Sequence, residues 1–269
     1  MIEIFKSVIL GIVEGITEWL PISSTGHMIL VNELMNSGDG FLNSQVYLYV
    51  IQLGAILAIV TLYFKKLNPF SPSKSAAEKK ETWSMWFKVI VACVPAAVIG
   101  LLFDSAMDKI SVPIVVSLML IIYGAAFILA ERSNRTPKIK DMKDMTYKTA
   151  LGIGLFQVLS IVPGTSRSGA TILGAILIGC SREVAAEFSF FLAIPVMFGV
   201  SALKILTNDY VMTQYEWILL LIGMIVAYIV SAAAVKFLVN YVRKHDFKVF
   251  GYYRIILGLI VILYFAIFR

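Results

Sequence analysis

Glu14-Gly15-Ile16-Thr17-Glu18-Trp19-Leu20-Pro21-Ile22-Ser23-Ser24-Thr25-Gly26-His27 interrupts the first apolar region of the chain. It begins as an apolar helix with two carboxylates one turn apart, meets Pro21, and runs into three successive hydroxyl residues. The surrounding region, 4–34, is apolar enough for a membrane, yet neither side of the break reaches the roughly 20 residues a helix needs to cross one. A second region, 147–181, repeats the pattern, broken by Pro163-Gly164-Thr165-Ser166-Arg167-Ser168-Gly169-Ala170-Thr171. Both regions read as re-entrant helix–loop–helix hairpins that enter and leave the bilayer on one side. Non-helical backbone at that depth is tolerated where it is buried in protein or lines a wet cavity.

Outward from these hairpins, the composition makes lipid the main solvent. Apolar residues are 59% of the 269, and charged residues only 15%, against about 25% in a soluble domain. Runs such as 217–235 and 249–268 carry almost no charge. Six full spans are expected, at 45–64, 86–104, 112–131, 184–206, 216–238 and 249–268. Cys93 and Cys180 sit in apolar contexts without disulfide or metal spacing. No cleavable leader is read, because the first apolar run holds Glu14 and Glu18 and lacks a small-residue cleavage site.

The net charge of +6 lies mainly in connectors, where membrane topology and anionic headgroups account for it without nucleic acid. Connectors 65–88, 132–148 and 236–248 are rich in Lys and Arg, whereas 104–111 has one Lys against Asp104 and Asp108, and 207–216 has none. The positive-inside rule puts the three basic connectors in the cytoplasm. Segment 35–44 and both termini then fall outside, 182–183 falls inside, and the hairpins enter from opposite sides. Each half has one broken hairpin and three spans, with Pro21 and Pro163 aligned at an offset of 142. The expected fold is an all-α polytopic membrane protein, one integral domain in an inverted-topology repeat. Its first repeat is 1–131, its connector 132–148 and its second repeat 149–269. Such repeats, with discontinuous helices meeting at the midplane, are known best from transporters.

The hairpins also collect the chemistry. Glu14 and Glu18 share a helix face, and an ionised carboxylate in lipid costs at least a few kcal/mol. They either lie in the solvated interface, hold a hard divalent cation such as Mg²⁺ or Ca²⁺, or supply a general base. Ser23, Ser24 and Thr25 can cap the returning half-helix, and a half-helix start is also an anion site. Ser166 and Ser168 can do the same on the second hairpin. His27 reads either as a satisfied core residue or as part of the site. Arg167, too deep to snorkel easily, needs Glu14, Glu18 or a bound phosphate. Gln52 is either a polar lining group or an interhelical hydrogen bond. Together the parts suit metal-assisted phosphoryl transfer. The small residues Gly223, Ala227 and Ser231 allow close helix packing within the chain or between chains, a homodimer included.

The segment 14–27 resembles the E-x-x-x-E and P-x-S-S-T-G-H signature of the bacterial undecaprenyl-diphosphatases, the bacitracin-resistance family. Residues 163–171 resemble that family's P-G-x-S-R-S-G-x-T signature. Val50-Ile51-Gln52-Leu53-Gly54 and Glu187-Phe188-Ser189-Phe190-Phe191-Leu192 are also similar to it. The resemblance implies a plasma-membrane hydrolase, acting on the outer side, that converts undecaprenyl diphosphate to the monophosphate carrier. It implies Glu14 and Glu18 as the metal-associated acids, Ser24 as nucleophile, His27 beside it and Arg167 on phosphate. Ser23, Thr25, Gly26, Gln52, Ser166, Ser168 and Thr171 are expected around the substrate. A transporter or flippase using the same anion site is the rival reading.

Overall fold

The computed structural model describes residues 1–35, 38, 40–109, 112–133, 135–207 and 211–268, with the side chains of 104–109 and Phe268 left aside. The acidic connector read at 104–111 therefore falls outside the described side chains, as do Asn36, Ser37 and Asp39 of 35–44 and residues 208–210 of 207–216. The described chain is helical: α1 (Ile2–Thr17), α2 (Ser24–Leu34), α3 (Gln45–Val50), α4 (Gln52–Leu62), α5 (Phe64–Leu67), α6 (Ala76–Lys109), α7 (Pro113–Arg132), α8 (Tyr147–Val158), α9 (Arg167–Ile178), α10 (Arg182–Leu206), α11 (Gln214–Val242) and α12 (Lys248–Phe268).

Six helical stretches among the described residues are long and apolar enough to cross a membrane: Gln45–Leu62, Ala76–Phe103, Pro113–Arg132, Arg182–Leu206, Gln214–Val242 and Lys248–Ile267. They coincide with the six expected spans. Two run further than read. α6 starts at Ala76 and takes in Lys79, Lys80 and Lys88, while α11 continues through Lys236 to Val242. Lysine is a good helix former and can lay its stem along apolar surface, so a basic residue does not end a span. The surface is apolar where lipid would lie. Ile90, Val94, Val98 and Leu101 of α6 are exposed, as are Ile256, Leu259, Ile260 and Leu263 of α12. Outward stripes of that size are foreign to a water-facing surface.

The helix pairs obey one exchange rule. α1 packs on α11 and α8 on α6; α4 packs on α11 and α10 on α6; α7 pairs with α12, and α4 with α10. Swapping α1, α2, α3–α4, α6 and α7 for α8, α9, α10, α11 and α12 returns the same set of pairs. The short helices press backbone to backbone on their long partners. A Cβ on Gly11 would meet Gly223 O at 2.6 Å, one on Gly15 would meet Ala227 O at 2.9 Å, and one on Gly154 would meet Ala92 O at 2.3 Å. Ser7 and Ser231 also donate across the first pair, to Leu219 O (2.7 Å) and from Ser231 to Gly15 O (3.3 Å). α1 therefore lies parallel to the first part of α11. The Gly223–Ala227–Ser231 stripe is occupied by α1 within the chain, so it lends no support to association between chains.

The start of α10 gathers the basic connectors at one end of the molecule. Arg182 holds Glu131 at the end of α7 (2.6 Å), Glu187 holds Lys66 of α5 (2.7 Å), and Glu183 lies 3.8 Å from Arg243 after α11. One main apolar core, from Trp19 through Phe127 and Phe190 to Phe250, draws on both halves.

Because Gly154 abuts backbone, Gly154→Ala should overpack the α8–α6 contact and cost about 1–3 kcal/mol. Gly199, with nothing within 4 Å of an added Cβ, is the control. Thermal unfolding in detergent should show a lowered midpoint for Gly154→Ala and not for Gly199→Ala.

Candidate active site

The two breaks are built alike, one residue away from the alignment on proline. Helix resumes at Ser24 and at Arg167, so the breaks fall at 18–23 and 162–166, earlier than the Pro21–Gly26 and Pro163–Thr171 stretches suggest. Ser23 caps α2 by accepting from Gly26 N (3.3 Å), and Ser166 caps α9 by accepting from Gly169 N (3.1 Å). The equivalence is thus 143 residues, and it sets Ser24 opposite Arg167. Ser23 and Ser166 have φ of 74° and 73°, the two positive-φ non-glycine residues among those described. Such backbone costs of order 1–3 kcal/mol and persists only where surroundings enforce it. Gly164, at φ 90° and with a Cβ position 2.5 Å from Val116 O, accepts no side chain at all.

What enforces these turns is a set of bonds between them. Arg254 of α12, fully buried, donates to Pro21 O of the first break (3.1 Å) and to Gly164 O and Thr165 O of the second (3.0 and 2.8 Å). Ser168 Oγ donates to Glu18 O (3.0 Å) and Leu20 O (3.3 Å). Every one of these acceptors is a carbonyl released by the loss of helix. Thr171 Oγ1 donates to Arg167 O (2.9 Å) and pairs with Ser189 Oγ (2.7 Å). Ser168 and Thr171 are therefore engaged with the protein itself. Arg254 lies in the run 249–268 read as nearly chargeless; an arginine at span depth was itself the signal that could have found it.

Within this frame the reactive groups converge. Glu14 and Glu18 are 1% and 8% exposed, which removes the solvated-interface reading. Ser24 Oγ donates to Glu18 Oε2 (2.8 Å), and Arg167 Nη2 binds Glu18 Oε1 (2.9 Å). Arg167 Nη1 is steadied by Ser189 O (2.8 Å), and its guanidinium lies 5.8 Å from the Trp19 ring centroid. Both partners of the ion pair are nearly buried, so removal of one would leave an uncompensated charge worth about 3–5 kcal/mol. His27 makes no bond to Ser24. Its Nδ1 donates to Ser23 O (2.7 Å), and its Nε2 meets the Tyr253 hydroxyl (2.7 Å). Thr25 is exposed, and Gly26 is committed to the cap. Gln52 begins α4, half-buried, beside the irregular residue Ile51 that separates α3 from α4.

A hard cation finds a partial donor set here. Glu14 Oε1 is buried without a hydrogen-bond partner among the described residues. No group of three or more His, Cys, Asp and Glu is assembled among them. Two carboxylates nevertheless suffice for an ion that takes its remaining oxygens from phosphate and water, as Mg²⁺ commonly does.

The fold and this cluster define a multi-pass α-helical membrane protein with a buried hydroxyl–carboxylate–guanidinium site shared between two broken hairpins. Residues 7–260 match the family model for bacitracin resistance protein BacA, and the chain belongs to that family. It is 59% identical over 268 residues to an undecaprenyl-diphosphatase of Enterococcus faecalis, covering 97% of each chain. It is 57% identical over 274 residues to one of Acetivibrio thermocellus, covering all of both. With undecaprenyl-diphosphatase 1 of Clostridioides difficile it shares 55% over 268 residues, 98% of this chain and 97% of that one.

Arg254→Leu should strand three buried carbonyls, at about 1–3 kcal/mol for each lost acceptor. The expected result is a clear fall in the unfolding midpoint in detergent. Arg254→Lys, a point donor in place of a fork, should recover part of it. An unchanged midpoint in Arg254→Leu would mean the clamp is not structural.

Proposed function

We propose that this chain is a membrane phosphatase that removes the terminal phosphate of undecaprenyl diphosphate. The product is the monophosphate carrier used in peptidoglycan synthesis, and the activity would lower sensitivity to bacitracin. The observation that carries the reading is Ser24 Oγ directed onto Glu18 at 2.8 Å, with Glu18 itself fixed by Arg167. The relatives' shared name supplies the substrate.

A hydroxyl whose proton already points at a carboxylate is arranged for attack. In the proposed course Glu18 takes that proton as Ser24 Oγ bonds to the terminal phosphorus and the bond to the bridging oxygen breaks. The lipid monophosphate leaves, and water then cleaves the phosphoserine to give inorganic phosphate. Arg167 faces the phosphate charge from the second hairpin, and the first turns of α2 and α9 favour an anion between them. Ser23 and Ser166 hold those turns, while Thr25 and Gly26 line the approach to Ser24. His27 exchanges a proton with the headgroup or with the attacking water. Glu14 and Glu18 would hold a divalent cation, Mg²⁺ or Ca²⁺, which when bound offsets phosphate charge. Direct attack by water, with Ser24 only binding phosphate, is distinguished by quench-trapping of phosphate on Ser24.

The architecture follows as one integral domain of two inverted repeats, 1–131 and 149–269, joined by 132–148. The mirrored helix pairs and the twin serine caps support it. The basic end formed by Lys66, Arg182 and Arg243 then faces the cytoplasm, with the site and both termini toward the outer side. A carrier or flippase reading is not favoured. It leaves the Ser24–Glu18 pair without a task, and the relatives are named for hydrolysis.

Purified protein in detergent should release inorganic phosphate from undecaprenyl diphosphate. Ser24→Ala, Glu18→Gln and Arg167→Ala should each lower kcat by about 100-fold or more. Chelation should stop turnover, and Mg²⁺ or Ca²⁺ should restore it. No release by the unaltered chain would overturn the phosphatase reading; wild-type turnover by Ser24→Ala would overturn only the nucleophile.

A further inference from the structure

His27 stands apart from the Ser24–Glu18–Arg167 line, and its surroundings say which of its nitrogens can work. Nδ1 lies 2.7 Å from Ser23 O. A carbonyl only accepts, so Nδ1 carries a hydrogen whatever the charge of the ring. In the neutral ring Nε2 then holds a lone pair, and the group facing it is the Tyr253 hydroxyl, at 2.7 Å. The two rings are also parallel, 5° apart with centroids separated by 5.6 Å. Ser24 has already given its hydrogen bond to Glu18, so Nε2 has no role in deprotonating Ser24 in this arrangement.

The tyrosine is delivered by a rigid element. Its neighbour Arg254 is fully buried and tied to Pro21, Gly164 and Thr165, which fixes this turn of α12 against both breaks. Tyr253 itself is 43% exposed. Its hydroxyl is nonetheless turned onto His27. Adjacent residues of α12 thus do complementary work: one grips the loops, the other meets the imidazole.

We propose that Tyr253 is a positioning residue for His27. Ser23 O sets the Nδ1–H tautomer, and the Tyr253 hydroxyl, donating to the Nε2 lone pair, fixes the orientation of the ring and so of Nε2, the nitrogen that exchanges a proton with the bound headgroup. The kinetic part of this inference rests on the phosphatase reading; the hydrogen-bond part does not. A carbonyl on one ring nitrogen selects the tautomer, and a second partner on the other leaves the ring a single orientation.

The chain has two histidines, so His245→Gln leaves His27 as the single reporter. In ¹⁵N-histidine-labelled protein in detergent, at a pH where the ring is neutral, the expected spectrum is one tautomer with a protonated Nδ1 and a bare Nε2. Tyr253→Phe keeps the ring stack and removes the hydroxyl. It should keep the Nδ1–H tautomer, shift the Nε2 resonance as its hydrogen bond is lost, and lower kcat about 10-fold or more, with KM within about twofold of the unaltered chain. Ser24→Ala should abolish turnover and leave the His27 signals unchanged, which separates loss of chemistry from loss of positioning. An unaltered Nε2 signal in Tyr253→Phe would overturn the proposal, and so would a shifted Nε2 signal with wild-type kcat. Should the unaltered chain release no phosphate, the phosphatase reading fails, while the spectra still decide the hydrogen bond.

Discussion

A helix broken inside an apolar interior releases carbonyls that water cannot reach, and the rest of this structure depends on how they are satisfied. Each orphaned buried acceptor costs about 1–3 kcal/mol. The chain meets that cost by making the two breaks satisfy each other. Ser168 of the second hairpin donates to Glu18 O and Leu20 O of the first, and Arg254 donates to both. Each turn makes some bonds of its own, such as Ile22 N to Leu20 O and Thr165 N to Val162 O, but neither satisfies all its carbonyls alone. The site is a consequence of that mutual requirement, since it brings Glu18 and Arg167, 149 residues apart in sequence, to 2.9 Å.

The same constraint explains why the site is rigid where it matters. Ser23 and Ser166 keep strained positive φ values that an isolated turn would relax. They are fixed by their own caps and by the cross-bonds around them. On the far side, close backbone approach of α1 to α11 and of α8 to α6 leaves the short helices little freedom to slide. Rigid support of this kind suits a phosphoryl-transfer site, where catalysis is mostly positioning and charge neutralisation.

The halves share a frame but have diverged in chemistry. At the 143-residue equivalence, Ser24 stands where the second half has Arg167. Glu14, nine residues before its cap, stands where the second half has Gln157, buried and without a partner for either amide atom among the described residues. The first break carries the acid and the hydroxyl, the second the guanidinium.

Local sequence was enough for the helical membrane class, the six spans and two breaks in otherwise apolar helical regions. Each rests on local quantities: apolar length, proline and hydroxyl punctuation, and charge along the chain. It also marked Glu14, Glu18, Ser24 and Arg167, because polar groups at span depth are costly enough to be conspicuous. Only the tertiary structure decided their pairing. Alignment on proline missed the caps by one residue, because each helix restarts at its serine cap, two residues after Pro21 but three after Pro163. It also decided that Ser168 and Thr171 hold the frame, that Gly223, Ala227 and Ser231 pack against α1, that Arg254 bonds both breaks and that Tyr253 meets His27. Those two residues come from the last span, more than 220 residues from Pro21 and His27. A tyrosine or arginine in such a span carries no mark of its partner, since the partner is fixed by long-range packing of α12 against α7 and the breaks.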